Sequence, residues 1–157
     1  MSGATRYPDS KNKNSVTDGL EFQDWVTDLF AKHGIIIQNY CSRKYQFSVG
    51  ENRQGFEIKL DRRCTETGRL SIETYEKTEI NARWAQSGIL REDSTIFYVQ
   101  GNTECVWIFL KRFLRGLYLA TNGDDKPRYE RKEEATIKAF YLPIEDADKY
   151  GHRIEPE

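Results

Sequence analysis

The sequence contains few of the residues that mark several common kinds of active site. Its 157 residues include only three cysteines, Cys41, Cys64 and Cys105, and two histidines. The cysteines show no CxxC spacing, so neither a disulfide framework nor a zinc site is indicated, and we expect reduced thiols. His33 and His152 are isolated, which does not suggest a Ser/His/Asp or Cys/His catalytic arrangement. The sequence also lacks a glycine-rich phosphate loop of the P-loop type.

Long apolar runs and an excess of one charge are absent as well. No apolar run approaches the roughly 20 residues that a membrane helix needs, and the polar N-terminus has no signal-peptide core. We therefore expect a soluble, cytoplasmic protein without a membrane partner. The 24 Lys and Arg residues balance 25 Asp and Glu residues, so the net charge of the chain does not indicate a nucleic-acid partner. A local basic cleft remains compatible with this balance.

The first strong pattern along the chain predicts an amphipathic helix over residues 18–33. Thr17 or Asp18 would be its N-cap. Residues 1–17 are polar and are expected to be loosely ordered, which leaves residues 18–157 as a single domain. Apolar side chains recur in the helix with the spacing of one helical face: Phe22, Trp25, Val26, Leu29 and Phe30.

The rest of the chain predicts several strands and two more helices. Two of the strands, 95–100 and 104–110, would pair as a hairpin across Gly101-Asn102. These elements together predict an α/β fold with a mixed β-sheet flanked by helices. The extended segments are 35–37, 44–49, 56–61, 70–75, 95–100, 104–110 and 137–144, and the helices are 111–121 and 145–150.

A cluster of charged side chains is predicted on two consecutive strands. Alternation in the segment Phe56-Glu-Ile-Lys-Leu-Asp61 places Glu57, Lys59 and Asp61 on one face. A turn at Thr67-Gly68 leads into the next strand, where Glu73 has the same facing. Because the connection is short and polar, we expect antiparallel pairing of the two strands.

The expected register brings acids together. With the turn centred near Thr67, Asp61 lies opposite Glu73 and Lys59 opposite Tyr75, and a shift of two residues sets Lys59 against Glu73 instead. Mg²⁺ is commonly held by one or two protein carboxylates and a substrate phosphate, so Asp61 and Glu73 are candidate ligands. Lys59 would position or activate a water, or neutralise charge on phosphorus. The alternative is a solvated sheet face whose acids pair with lysines.

These residues resemble a known family. The chain resembles phage and bacterial members of the PD-(D/E)XK nuclease superfamily in its order of helix, strand, strand and strand. It also shares their motifs, which are Glu57-x-Lys59-x-Asp61, a Thr-Gly turn, Ile72-Glu73 and the downstream Ser87-Gly88-Ile89. The resemblance implies a restriction-endonuclease-like fold and Mg²⁺-dependent hydrolysis of DNA, with Mn²⁺ as a substitute. It also implies the cytoplasm of a bacterial cell or a phage-infected host.

The sequence departs from the family pattern at the lysine. If Glu73 is the acid of the acid-x-lysine motif, Tyr75 stands where lysine is expected, so we assign the lysine role to Lys59. Three metal ligands are then predicted: Asp61, Glu73 and, as support or alternative, Glu57. A competing assignment takes Glu57-x-Lys59 itself as the motif, with Glu51 as partner. Other residues whose roles stay open are Glu21, Glu76 and Lys77.

Candidate DNA contacts lie outside the hairpin. Ser87 could present a backbone N–H and a hydroxyl to a phosphate, or Ser87-Gly88 is only a turn. The predicted helix 111–121 would turn Lys111, Arg112 and Arg115 outward, as a DNA-backbone surface or as a solvated face. Cutting both strands of a duplex would favour a homodimer. The rival function is a non-catalytic nucleic-acid-binding or phage accessory protein that keeps the nuclease scaffold.

Overall fold

A computed structural model describes residues 10–37, 55–120 and 128–157. Within these residues four helices and eight strands are present. The helices are α1 (Ser10–Lys32), α2 (Cys64–Thr67), α3 (Lys111–Ala120) and α4 (Ile144–Tyr150), with one further 3-10 turn at Gly88–Leu90. The strands are β1 (Phe56–Leu60), β2 (Arg69–Glu76), β3 (Ala85–Gln86), β4 (Phe97–Gly101), β5 (Val106–Leu110), β6 (Arg131–Glu133), β7 (Ile137–Pro143) and β8 (His152–Ile154).

The described strands form two four-stranded sheets, so the fold is mixed α/β but is not built on one sheet. The first sheet has the order β1-β4-β5-β8, in which β1 and β4 are parallel and the other pairs antiparallel. The second has the order β3-β2-β7-β6 and is antiparallel throughout. The expected α/β class is confirmed, and the mixed sheet corresponds to the first of the two.

The predicted hairpin between residues 56–61 and 70–75 is wrong. β1 pairs with β4, with Lys59 beside Gln100, and β2 pairs with β7, with Glu73 beside Ala139. The connection is not a tight turn, because residues 64–67 form helix α2. Gly68 ends that helix in the left-handed region, at φ 71°, and donates its N–H to the Cys64 carbonyl.

Two hydrophobic clusters explain why β1 and β2 separate. Phe56 and Ile58 of β1 pack with the apolar face of α1, whereas Leu70 and Ile72 of β2 pack in a second cluster with Trp107. Strand β4 contributes to both clusters, because Tyr98 and Val99 face opposite ways. The first sheet therefore lies between α1 and the second sheet.

Most local predictions outside the hairpin are confirmed. The apolar face of α1 is buried as expected, and the β4–β5 hairpin and helices α3 and α4 form close to their predicted bounds. Helix α1 begins at Ser10, so residues 10–17 are helical and the predicted boundary at residue 18 falls inside a helix. Residues 35–37 are not in a strand, and β7 is followed by β8 and is not the last strand.

Some predictions lie outside the described residues. These are the predicted strand 44–49, the residue Glu51, the cysteine Cys41 and the segment 1–9. Cys64 and Cys105 are both buried free thiols, and burial raises the pKa of the Cys64 thiol to about 12. In the part of the chain that is described, no helix has the length and apolar character needed to span a membrane.

Candidate functional site

Three of the predicted site residues meet in one open cleft, although they do not come from a hairpin. Lys59 and Asp61, at the end of β1, line a cleft of about 910 Å³ together with Glu73 of β2. One wall is formed by α1 around residues 19–23. The floor is the face of the second sheet opposite its buried Leu70, Ile72, Phe140 and Leu142, and it carries Arg69, Ser71, Ala139 and Tyr141.

Asp61 joins the two sheets through one carboxylate oxygen. Its Oδ2 accepts hydrogen bonds from the Ser71 backbone N–H and from Gln100 Nε2, both at 2.9 Å. The backbone N–H of Asp61 also donates to the Gly101 carbonyl at 2.7 Å. Oδ1 accepts no hydrogen bond from the described residues. The carboxylate is therefore held in place through Oδ2, and the described residues leave Oδ1 unengaged.

Glu73 provides the second carboxylate of the cleft. It follows Ser71 by two positions on the same face of β2, about 7 Å along the strand. Its half-buried side chain makes neither a hydrogen bond nor an ion pair with another described residue. Asp61 and Glu73 thus line the same cleft, and the charge of Glu73 is not balanced by a direct partner in this part of the chain.

The Ser87-Gly88-Ile89 segment packs directly behind Glu73. Gly88 has φ 51°, and a Cβ placed on it would lie 2.2 Å from the Glu73 carbonyl oxygen. Ser87 donates its N–H to the Thr74 carbonyl and is only 1% exposed. The burial of its hydroxyl gives no support to the predicted contact of Ser87 with DNA, which stays a prediction. The motif supports the strand that carries Glu73.

Glu57 lies away from the cleft, in a buried group of ionic side chains. Its carboxylate is fully buried and has three cations nearby: Arg91 at 3.2 Å and Lys59 at 3.5 Å from Oε1, and Lys111 at 3.7 Å from Oε2. Oε2 is buried without a hydrogen bond from any described residue. Lys59 itself is 33% exposed, so it extends from this buried group towards the cleft.

Lys111 belongs to the same buried group and not to the surface. Its ammonium donates hydrogen bonds to Asp93 Oδ1 and to the Arg91 carbonyl, each at 2.9 Å. Burial alone would raise the pKa of Asp93, but hydrogen bonds from Lys111 and Thr95 outweigh burial and lower that pKa. The predicted outward facing of Lys111 is wrong, because two buried carboxylates draw its side chain inward, and its contact with DNA stays a prediction without support from this position.

The other two predicted cations of α3 differ from each other. Arg112 is exposed. Arg115 is half-buried, donates to the Ile89 carbonyl at 3.1 Å and lies 3.5 Å from Glu92. Neither residue lines the cleft. A contact of Arg112 or Arg115 with DNA would therefore lie away from the candidate site.

The cleft has cations that the sequence patterns do not single out. Arg62, Arg63, Arg69 and Lys132 line it, and each also lies near a carboxylate of the surface. The pairs are Arg62–Asp18, Arg63–Glu66, Arg69–Glu130 and Lys132–Glu134. Arg62 and Arg63 are adjacent, but Arg69 and Lys132 come from β2 and β6, so no single basic run in the sequence marks all four.

The sequence patterns single out none of three further residues that contact the predicted site residues, namely Arg91, Asp93 and Gln100. Arg91 and Asp93 lie in a segment without periodicity, so only their position in the fold reveals their contacts with Glu57 and Lys111. Gln100 could have been noticed, because it is one polar residue in the otherwise apolar strand Phe97–Gly101.

The residues left open by the sequence lie away from the cleft. Glu21 lines a separate cavity beside Phe22 and Trp25. Glu76 is exposed, and Lys77 donates to the Ile80 carbonyl with its ammonium over the Trp84 ring, 4.3 Å from the centroid. These positions give Glu21, Glu76 and Lys77 no role in the candidate site.

The donor atoms of the cleft fit a hard divalent cation. Among the described residues no group of three or more His, Cys, Asp and Glu side chains is arranged to hold a metal ion. Asp61 and Glu73 provide two carboxylates as candidate ligands. Mg²⁺ commonly binds one or two protein carboxylates together with waters and a substrate phosphate. The residues present therefore fit Mg²⁺ or Mn²⁺, and are too few for a closed protein cage.

Comparison with known proteins adds no further constraint. No protein-family model, curated protein or solved structure matches this chain. The resemblance to PD-(D/E)XK nucleases therefore stays a prediction from short motifs.

Proposed function

We propose that the protein is a metal-dependent endonuclease that hydrolyses DNA phosphodiester bonds, with Mg²⁺ held by Asp61 and Glu73. The observation that carries this proposal is the convergence of Lys59, Asp61 and Glu73 on one cleft from two different sheets. Asp61 offers an oxygen that no described residue engages, and Glu73 offers a carboxylate without a direct partner in the same residues. A bound cation would balance both charges.

Each residue would have a distinct task in this reaction. When bound, Mg²⁺ would polarise the scissile phosphate as a Lewis acid. Lys59 would orient the attacking water or stabilise the negative charge that develops on the phosphate oxygens. Glu57, 3.5 Å from the Lys59 ammonium and fully buried, would position that lysine and not touch the substrate.

The shape and charge of the cleft support a nucleic-acid substrate. Four cations besides Lys59 line it, and Lys and Arg side chains supply most contacts to a phosphate backbone. A restriction-endonuclease-like fold is part of the same proposal. It is supported by α1 packed on a mixed sheet and by the parallel pair of β1 and β4, with the charged motif on β1. A homodimer would supply the two sites needed to cut both strands.

Cleavage of supercoiled and branched DNA with Mg²⁺, Mn²⁺ or EDTA tests the proposal. Asp61→Asn and Glu73→Gln should each lower metal-dependent nicking by more than about 100-fold, because even the hydrogen-bond partners of metal ligands are worth 10–100-fold. Glu134→Gln is the matched control, since Glu134 lines the same cleft but is paired with Lys132 at 2.7 Å. Metal-dependent nicking that survives both substitutions would exclude this site.

Two alternatives give different results in the same assay. Binding of DNA without nicking under any metal would favour a non-catalytic nucleic-acid-binding protein, an outcome consistent with the small number of candidate ligands in the described residues. The assignment of Glu57-x-Lys59 as the metal motif has one observation in its favour, the buried Glu57 Oε2 without a hydrogen bond among those residues. If Glu57 is a metal ligand, Glu57→Gln should abolish Mn²⁺ binding. If Glu57 only positions Lys59, Glu57→Gln should leave Mn²⁺ bound and lower the stability of the protein.

A further inference from the structure

Gln100 is a buried polar residue that contacts the candidate metal ligand. It is 2% exposed, on a strand whose neighbours Tyr98 and Val99 are apolar. Its Nε2 donates to Asp61 Oδ2 at 2.9 Å and to the Ser71 carbonyl at 2.8 Å. Both partners can only accept, so the network itself determines which end of the amide is nitrogen.

The hydrogen bonds of the fold do not explain why position 100 carries an amide oxygen. Oε1 is buried and accepts no hydrogen bond from the described residues. Leaving a buried acceptor unsatisfied is destabilising, and an apolar side chain of similar length would avoid that penalty. Gln100 lies beside Lys59 in the parallel pair of β1 and β4, and it lines the same cleft as Lys59 and Asp61.

We propose that Gln100 is the positioning residue of Asp61. Its Nε2, with the Ser71 N–H, occupies Oδ2 and so leaves Oδ1 as the oxygen available to a cation. Its Oε1 is a buried acceptor that no described residue uses. This inference rests on the proposed function, since it deepens the role of Asp61 as a metal ligand.

Mn²⁺ binding by the full chain, measured by electron paramagnetic resonance, tests this role without relying on turnover. Gln100→Met removes both the donor and the acceptor, and should weaken Mn²⁺ binding by about 10–100-fold, as expected for a partner of a metal ligand. Gln100→Glu keeps an oxygen but sets a carboxylate against Asp61. Because Mn²⁺ relieves the repulsion between two carboxylates, it should raise the Tm of Gln100→Glu more than that of the unmodified protein.

Asn102→Asp is the matched control for the change of amide to acid. Asn102 is also buried and follows β4 directly, but its side-chain nitrogen donates to the Arg62 carbonyl and to Thr65 Oγ1 and not to Asp61. Asn102→Asp should bind Mn²⁺ as the unmodified protein does, with the same Mn²⁺-induced rise in Tm. A rise in Gln100→Glu no larger than in Asn102→Asp would overturn the proposal, even if Gln100→Met does not fold.

The failure of this inference can be told apart from failure of the proposed function. If Asp61→Asn abolishes Mn²⁺ binding while Gln100→Met binds as tightly as the unmodified protein, Asp61 is a ligand and Gln100 does not position it. If the unmodified protein binds no Mn²⁺ at millimolar concentration, the metal site fails, and the positioning role fails with it.

Discussion

Replacing Lys111 with methionine would remove the ammonium group that two buried carboxylates share. Lys111 Nζ lies 2.9 Å from Asp93 Oδ1 and 3.7 Å from Glu57 Oε2, and its side chain is only 4% exposed. Both carboxylate side chains are fully buried. Since methionine keeps most of the aliphatic volume of lysine, the change is chiefly the loss of one charge and its hydrogen bonds.

The expected loss of stability follows from what remains around the two acids. Removing one partner of a buried ion pair costs about 3–5 kcal/mol, because the remaining charge stays uncompensated. Arg91 stays 3.2 Å from Glu57 and 3.3 Å from Asp93, so we expect the lower end, about 3 kcal/mol. For a chain of this length that corresponds to a fall in Tm of about 6–12 °C.

The effect should depend on pH with a sign set by Asp93. In the unmodified protein the pKa of Asp93 is lowered, so its stabilising contribution is present above the unfolded pKa and is lost as the pH falls through the folded pKa. In Lys111→Met the hydrogen bond and the charge of Lys111 no longer lower the pKa of Asp93, so that pKa should rise from its lowered value. At neutral pH the charged Asp93 therefore destabilises the variant relative to the unmodified protein, and protonation of Asp93 on acidification removes this cost. The difference between the two proteins should therefore shrink towards about pH 4.

Urea denaturation near neutral pH and near pH 4 measures this difference. Arg112→Met is the matched control, because Arg112 is the next residue of α3 and is exposed. It should change the free energy of unfolding by no more than about 0.5 kcal/mol. A Lys111→Met variant that is no less stable than Arg112→Met near pH 7, or whose deficit is unchanged near pH 4, would contradict the role of Lys111 as the shared partner of the two acids.

Two further predictions concern packing around the site and in the core. Gly88→Ala should lower the free energy of unfolding by about 2–4 kcal/mol in denaturation, because its Cβ would lie 2.2 Å from the Glu73 carbonyl oxygen at φ 51°. Gly116→Ala is the control, since a Cβ there would meet open space, and it should raise the free energy of unfolding by up to about 1 kcal/mol. Asp148→Ala should cost about 1–3 kcal/mol, because Trp107 Nε1 donates to Asp148 Oδ1 at 2.8 Å, and Asp148→Asn should retain most of that stability. Equal stability of Asp148→Ala and Asp148→Asn would show that water replaces the carboxylate.

The elements that the sequence predicts well are those governed by local patterns. The apolar face of α1 and the turn between β4 and β5 are visible in single stretches of chain, and both are present. The start of α1 is less accessible to such reasoning, because residues 10–17 are polar and show no apolar face. Their helical conformation continues a helix that packing stabilises further along.

The pairing of β1 and β2 could not be read from the sequence in the same way. A short polar connection favours a hairpin locally, but α2 occupies most of that connection. The partner of β1 is β4, about 40 residues away, and the two strands are parallel. The apolar faces of β1 and β2 are buried in two separate clusters, and this burial determines that the two strands do not pair. A local turn preference does not report on such distant contacts.

The facing of α3 shows a second limit of periodicity. The predicted helix turns Lys111 outward, whereas Lys111 is buried and the apolar Phe113 of the same helix is 42% exposed beside the Tyr150 ring. The residues that draw Lys111 inward are Glu57 and Asp93, which are distant in sequence. A buried cation is stable only where such partners converge, and that convergence is a property of the fold.

The alternating charges of β1 nevertheless acquire different roles from a gradient of burial along the strand. Glu57 is fully buried beneath three cations, so the protein already neutralises its charge. Asp61, at the other end, lies at the cleft and is held by two N–H donors, a backbone amide and a neutral side-chain amide. These hydrogen bonds orient the carboxylate without cancelling its charge. A divalent cation gains more from a carboxylate whose charge is not yet neutralised, so the electrostatics of β1 favour Asp61 over Glu57 as its ligand.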